Sequence, residues 1–156
     1  MKKILDACCG SRMFWFDKEN QNVLYMDKRQ IIKSFDDGRV VEVCPDVIGD
    51  FRHMTFEDES FHLVVFDPPH LLRAGKNSWL ATKYGLLDRN TWRDDIRKGF
   101  KECMRVLITN GVLVFKWSED QVSVKDVLQL FEHKPLFGTR RGKGIFLVFM
   151  KSGDAD

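Results

Sequence analysis

Four aspartates stand at the ends of apolar runs, and one of them is followed by two prolines. Val64-Val65-Phe66 leads into Asp67-Pro68-Pro69-His70. Neither proline can donate a ladder hydrogen bond, so a buried parallel strand ends at Asp67 and the backbone beyond it is stiff. A rigid corner beside a strand-end carboxylate suits a site that holds a planar group by a carboxylate, a proline carbonyl and a flat side chain. It also serves as a plain strand exit with an Asp cap. Leu5-Asp6-Ala7-Cys8-Cys9-Gly10-Ser11 runs from an apolar strand into a glycine turn. Glycine there lets a ligand approach the backbone, although an ordinary strand-to-helix turn looks the same. Asp27 follows Val23-Leu24-Tyr25-Met26. A carboxylate in that place can accept hydrogen bonds from both hydroxyls of a ribose. It can equally cap a helix over 28–33, and the two roles are compatible. Gly49-Asp50-Phe51 offers a carboxylate for an adenine amino group and a ring to pack on the base, or a turn with a core Phe.

Weaker signals surround these. Lys116-Trp117 ends a later strand and either lines a substrate or packs as structure. Between His70 and Asn90 lie Arg73, Lys76, Trp79, Lys83 and Tyr84, a mixture of cations and aromatics. Such a mixture forms a base platform with phosphate contacts, or a solvated loop with its rings on the core. Thr139-Arg140-Arg141-Gly142-Lys143-Gly144 is the densest basic run, a phosphate contact or an exposed hairpin tip. His53, His62 and His133 are scattered and carry no role. Cys8, Cys9, Cys44 and Cys103 lack metal-ligand spacing and read as free thiols; no metal site is expected.

The elements that must position these residues alternate short apolar runs with amphipathic stretches, the pattern of an α/β fold with a mainly parallel sheet. Strands are expected over Ile4–Cys8, Val23–Met26, Pro45–Ile48, Phe61–Phe66 and Gly111–Trp117. Leu63 to Phe66 is continuously apolar, as befits a strand covered on both faces. A short helix fits Arg12–Lys18, and Arg39–Val43 reads as a hairpin arm after Asp36-Asp37-Gly38. Thr91–Leu107 is the best helix, with Ile96, Phe100, Cys103, Met104 and Leu107 on one face. Val122–Glu132 follows as another. Leu136-Phe137 and Gly144–Met150 form a closing antiparallel pair. His70–Asn90 reads as a long, partly mobile loop, functional or disordered, and 152–156 as a frayed tail.

Composition narrows the class. The chain has 156 residues, 44% hydrophobic and 31% charged, with a net charge of +2. That is ordinary for one soluble domain, spanning 1–151, and excludes disordered, collagenous and disulfide-scaffold chains. The small net charge requires any nucleic-acid footprint to be local. No apolar run approaches the roughly 20 residues of a membrane span, so a cytoplasmic protein without membrane contact is expected.

Taken in order, these motifs resemble the class I S-adenosylmethionine-dependent methyltransferases, specifically those that methylate amino groups of nucleic acids. Asp6-Ala7-Cys8-Cys9-Gly10-Ser11 is similar to the family's cofactor turn, Asp27 to its ribose acid, and Asp50-Phe51 to its adenine-side pair. Asp67-Pro68-Pro69-His70 is similar to its Asp/Asn-Pro-Pro-aromatic catalytic motif. The resemblance implies a Rossmann-like fold with helices on both faces, and S-adenosyl-L-methionine as cofactor. The cofactor would sit on Asp6, Ala7, Cys8, Cys9, Gly10, Asp27, Asp50, Phe51 and Asp67. It implies catalysis at Asp67, Pro68, Pro69 and His70, with Lys83, Tyr84, Lys116 and Trp117 toward the substrate. The acceptor it implies is a nucleobase amino group, adenine N6 in DNA ahead of RNA. An adenine or guanine amino group in structured RNA, or a small molecule, would use the same residues. Arg12 stands where the family's turn has a glycine and His70 where it has Tyr, Phe or Trp, so a degenerate cofactor-binding or interaction module is the reading of another class. No segment has the length of a target-recognition domain, which leaves room for a homodimer or a helper subunit.

Overall fold

The computed structural model describes residues 1–75 and 77–153. Lys76, expected among the loop cations, and 154–156, expected in the frayed tail, lie outside the described residues. Along the chain run β1 (Ile4–Asp6), β2 (Val23–Asp27), β3 (Ile31–Ser34), β4 (Val40–Val43), β5 (Val47–Ile48) and β6 (Phe61–Phe66). Then come α1 (Trp79–Tyr84), α2 (Trp92–Val106), β7 (Leu107–Ser118), α3 (Val124–Leu128), β8 (Phe137–Arg141) and β9 (Gly144–Met150). Seven strands form one sheet in the order β5-β2-β1-β6-β7-β9-β8. β1 pairs parallel with β2 and β6, β6 pairs parallel with β7, and β9 runs antiparallel to β7 and β8. Strand order reverses after β1: the chain builds outward through β2 to β5, then crosses back to lay β6 on the other side. The switch point therefore lies between the carboxyl ends of β1 and β6, where open α/β sheets bind ligands.

The register places Leu5, Val64, Leu113 and Phe149 in one row across four strands, all fully buried. Ile96, Phe100 and Cys103 of α2, spaced to share one helix face, close over the same core. Each such side chain contributes about 1.5–3 kcal/mol by burial. Gly99 lets α2 settle there: a Cβ at that position would stand 2.6 Å from the rings of both Phe51 and Phe66. Val127 of α3 joins this core.

On the opposite face of β1 and β2, Cys9, Val23 and Tyr25 pack with Ile4 and Trp15. The helix expected over 12–18 does not form. Arg12 adopts φ 58, a left-handed conformation that cannot start a right-handed helix. Its guanidinium lies 3.9 Å from the Tyr25 ring centre and donates to the carbonyls of Lys18 and Cys44. The segment between β1 and β2 is thus a run of turns pinned by one arginine. Nor does Asp27 cap a helix over 28–33. Ile31 and Ile32, β-branched and at home in strands, enter β3, which pairs with β4 through the turn at Gly38 (φ 86).

The expected loop 70–90 contains α1, whose Ser78 accepts a hydrogen bond from Ala81 N at 3.2 Å. It ends at Gly85 (φ 79) and contains no buried residue, so its sequence shows no apolar period. α3 is shorter than the expected 122–132; after it the chain continues in turns, Leu130 N donating to Val127 O and Phe131 N to Leu128 O. β5 begins at Val47, since Pro45 has no N–H to offer. No helix among the described residues is long and apolar enough to cross a membrane.

Candidate functional site

The turn after β1 is anchored on both neighbouring strands: Ala7 N donates to Val65 O at 2.9 Å and Cys9 N to Met26 O at 2.8 Å. Gly10 follows at φ 50, where glycine carries no Cβ penalty. Its N–H donates to Asp27 Oδ2 at 2.9 Å. Asp27 is buried, and its Oδ1 accepts from Arg29 N at 2.9 Å and from Arg29 Nε at 3.4 Å. The Cys8 thiol stands 3.9 Å from Oδ2. Burial, with the carboxylates nearby, pushes the Cys8 pKa well above its ordinary value.

A cavity of about 320 Å³ opens beside this turn, with Ala7, Cys8, Asp27, Asp50, Phe51 and Pro69 in its wall. Five of the expected cofactor residues therefore meet in one cleft. Asp50 is held by Arg52, which donates through Nε at 3.1 Å and Nη2 at 2.7 Å. These bonds keep the Asp50 carboxyl below the usual carboxylate range. The Phe51 ring packs edge-on against Phe66 at 5.1 Å. Asp6 does not reach this cavity. It is 1% exposed, accepts from Trp15 Nε1 at 2.7 Å, and burial pushes its pKa up to about 7.

The diproline corner faces the same turn. Asp6, Asp67, Cys9, Gly10, Phe14, Lys83 and Tyr84 line a second cavity of about 30 Å³, room for about one water. α1 closes the gap, its Lys83 carbonyl standing 3.7 Å from where a Gly10 Cβ would be. Asp67 differs from its fellow aspartates: it is half-buried, with its side chain 29% exposed, one cation, Lys116 Nζ, at 3.8 Å, and no hydrogen-bond donor among the described residues. Burial lifts its pKa to about 6 against the opposing pull of Lys116.

His70 is largely spoken for. Its ring packs on Tyr84 at 5.5 Å and edge-on to Trp117 at 6.4 Å, with Nε2 3.3 Å from Asp120. Burial holds its pKa below the ordinary imidazole value, against the pull of Asp120. Trp117 is buried and donates to Val122 O at 2.9 Å; it is core and lines neither cavity. The basic hairpin tip is tied to the end of β7, Lys143 lying 3.4 Å from Asp120 and Arg140 pairing with Glu119. Lys83 lies over the rings of Trp79 and Tyr84 at 5.7 and 5.2 Å. Sequence reasoning passed over three residues here. Arg29 lines both cavities. Phe14 stands 5.7 Å from Phe146, over which Lys116 Nζ sits at 5.7 Å.

No protein-family model and no curated protein matches the chain. Solved structures do. The PH0226 protein of Pyrococcus horikoshii OT3 superposes with a TM-score of 0.63 at 17% identity, over 97% of this chain and 82% of its own. A SAM-dependent methyltransferase of Methanosarcina mazei gives 0.58 at 12% identity, over 96% and 92%. A TehB-like SAM-dependent methyltransferase from Corynebacterium glutamicum ATCC 13032 Kitasato gives 0.57 at 18%, over 97% and 80%. This chain has the Rossmann-like fold of those methyltransferases. The first cavity lies over the carboxyl ends of β1, β2 and β5, and the second at the switch point between the β1 turn and the β6 corner.

Proposed function

We propose that residues 1–151 form an S-adenosylmethionine-dependent methyltransferase acting on an exocyclic amino group of a nucleobase, adenine N6 in DNA first. The cleft fits the cofactor. Of the four lone-pair positions on the Asp27 carboxylate, two are held only by the long contacts to Arg29 Nε and Cys8 Sγ. Two ribose hydroxyls match that vacancy in number. Phe51 offers its ring toward a base in the same cavity. Bound there, the cofactor supplies an electrophilic methyl group carried on a sulfonium.

One observation carries the acceptor reading: Asp67, alone among these aspartates, keeps its acceptor capacity unused while it faces the Gly10 turn. A base amino group is a poor nucleophile because its lone pair is delocalised into the ring. Asp67 Oδ and the Pro68 carbonyl can each accept one of its N–H bonds, which aims the nitrogen at the turn. The effect is positioning and electrostatics. With a pKa near 6 Asp67 is mostly ionised at pH 7, accepts rather than donates, and can take the proton the amine sheds after transfer. Tyr84 and Phe14 supply flat faces in the cavity that Asp67 lines. Asp67 is reachable, its side chain 29% exposed, but the cavity it shares with Lys83 and Tyr84 of α1 is only about 30 Å³, so a base seated flat against it displaces α1. A base in a duplex must also be flipped out, at a cost of a few kcal/mol.

The test is Asp67→Ala, with calorimetry for S-adenosylhomocysteine and transfer of a tritiated methyl group to adenine-containing DNA. Binding is expected to persist and transfer to be lost. Unchanged transfer removes Asp67 from the mechanism. Transfer by the parent protein to RNA or a small molecule, with DNA inert, replaces the acceptor.

A further inference from the structure

We infer that Arg29 is a positioning residue that couples occupancy of Asp27 to the placement of α1, so that cofactor enters before acceptor. The inference rests on the reading of Asp27 as the ribose carboxylate. Arg29 stands between the two cavities and lines both. Its Nε donates to Asp27 Oδ1 at 3.4 Å, and its Nη1 donates to the Thr82 carbonyl of α1 at 2.7 Å. Its Cζ lies 3.7 Å from where a Cβ on Gly85 would be, at the end of α1. One rigid guanidinium thus spans the cofactor carboxylate and the element that covers the acceptor side.

The geometry decides which contacts a ribose takes. Gly10 N and Arg29 N hold Asp27 at 2.9 Å each, and backbone donors in a pinned turn do not move away readily. The two long contacts yield, and one of them is Arg29 Nε. The guanidinium is planar and rigid, so displacing Nε from Oδ1 reorients the plane that carries Nη1 and strains its bond to Thr82. α1 then loses the one charged side-chain donor bonded to its carbonyls among the described residues. With six residues, none of them fully buried, its remaining holds include ring contacts at its two ends, Trp79 on Phe35 at 5.3 Å and Tyr84 on His70 at 5.5 Å. Cofactor occupancy would loosen α1 and open the way to Asp67.

Amide hydrogen exchange over α1 tests this, run on the full chain with and without S-adenosylhomocysteine, for the parent, Arg29→Ala and Arg29→Lys. In the parent, the amides of Thr82 and Gly85 are expected to exchange about tenfold faster when the ligand is bound, the scale of one charge-assisted hydrogen bond. In Arg29→Ala they are expected to exchange at the faster rate without ligand and to change no further. Lysine keeps the charge but not the fork, so Arg29→Lys is expected to follow alanine. Exchange that is unchanged or slower in the ligand-bound parent overturns the coupling and leaves the cofactor reading standing. Arg29→Ala matching the free parent overturns it without reference to any ligand. Failure of the ligand to bind in calorimetry overturns the ribose reading and the coupling together.

Discussion

Replacing Asp67 by Asn separates the charge of this carboxylate from its shape. Burial raises the Asp67 pKa to about 6 while Lys116, 3.8 Å away, opposes the rise. The folded protein therefore holds the neutral acid below about pH 6, which still accepts through one oxygen but as a weaker, neutral acceptor, and the charged acceptor form prevails above it. About nine-tenths of Asp67 is ionised at pH 7 and about one-tenth at pH 5. Transfer should fall as pH drops through 6 and level off roughly tenfold lower, where the neutral carboxyl accepts much as an amide does. The amide keeps one acceptor oxygen and cannot titrate. Hydrogen bonds to charged groups are worth about 1.5–3 kcal/mol against about 1 for neutral ones, so Asp67→Asn should slow the plateau by roughly tenfold. Its profile should be flat from pH 5 to 7. Lys116→Met should move the parent's acid limb to higher pH, since the ammonium favours the ionised form. Single-turnover transfer of a tritiated methyl group from pH 5 to 8 measures all three. An acid limb near pH 6 that survives in Asp67→Asn refutes the assignment.

Asp6, with its pKa lifted to about 7, binds a proton more tightly folded than unfolded. Its contribution is fully present below pH 4 and is lost as pH rises through 7, a swing on the order of 4 kcal/mol. The Tm of Asp6→Asn relative to the parent should accordingly climb from pH 4 to 8, and a constant gap would count against the buried acid. Gly99→Ala drives a Cβ to 2.6 Å from the Phe51 and Phe66 rings. It should lose about 1–3 kcal/mol in urea unfolding, whereas a loss below about 0.5 would show that α2 can shift freely. Phe14→Ala should raise the acceptor KM roughly tenfold, the scale of one lost base stack, with His70→Ala raising it less. Initial rates at saturating cofactor decide, and the reverse order would return the stacking role to His70.

Much of the frame was legible because its signals are local. Phe61–Phe66 reads as a strand from continuous apolar residues and ends where two prolines forbid more, and α2 reads from a single apolar face. The basic hairpin reads from its turn. What escaped depends on long-range partners. Arg12 looked like part of a helix, yet its guanidinium finds Tyr25 and two carbonyls, and the backbone follows. Ile31 and Ile32 follow a good N-cap, yet pair with β4. α1 carries no apolar period because it covers a cleft rather than a core. At the site, the four aspartates were found by their places at strand ends. Their partners were not: an arginine two residues after an acid, as at Arg29 and Arg52, carries no signal until the fold shows what else it touches. Phe14 and Phe146 likewise meet only in three dimensions.

The two corners of the switch point, Gly10 and Asp67, are held to serve one reaction, and a crystal structure with S-adenosylhomocysteine measures that most directly. The expected result is adenosine in the cavity walled by Asp27, Asp50 and Phe51, with its ribose on Asp27, and the ligand's sulfur facing Asp67 across the gap that α1 covers. A ligand bound outside this cleft, or a sulfur turned away from Asp67, would contradict it.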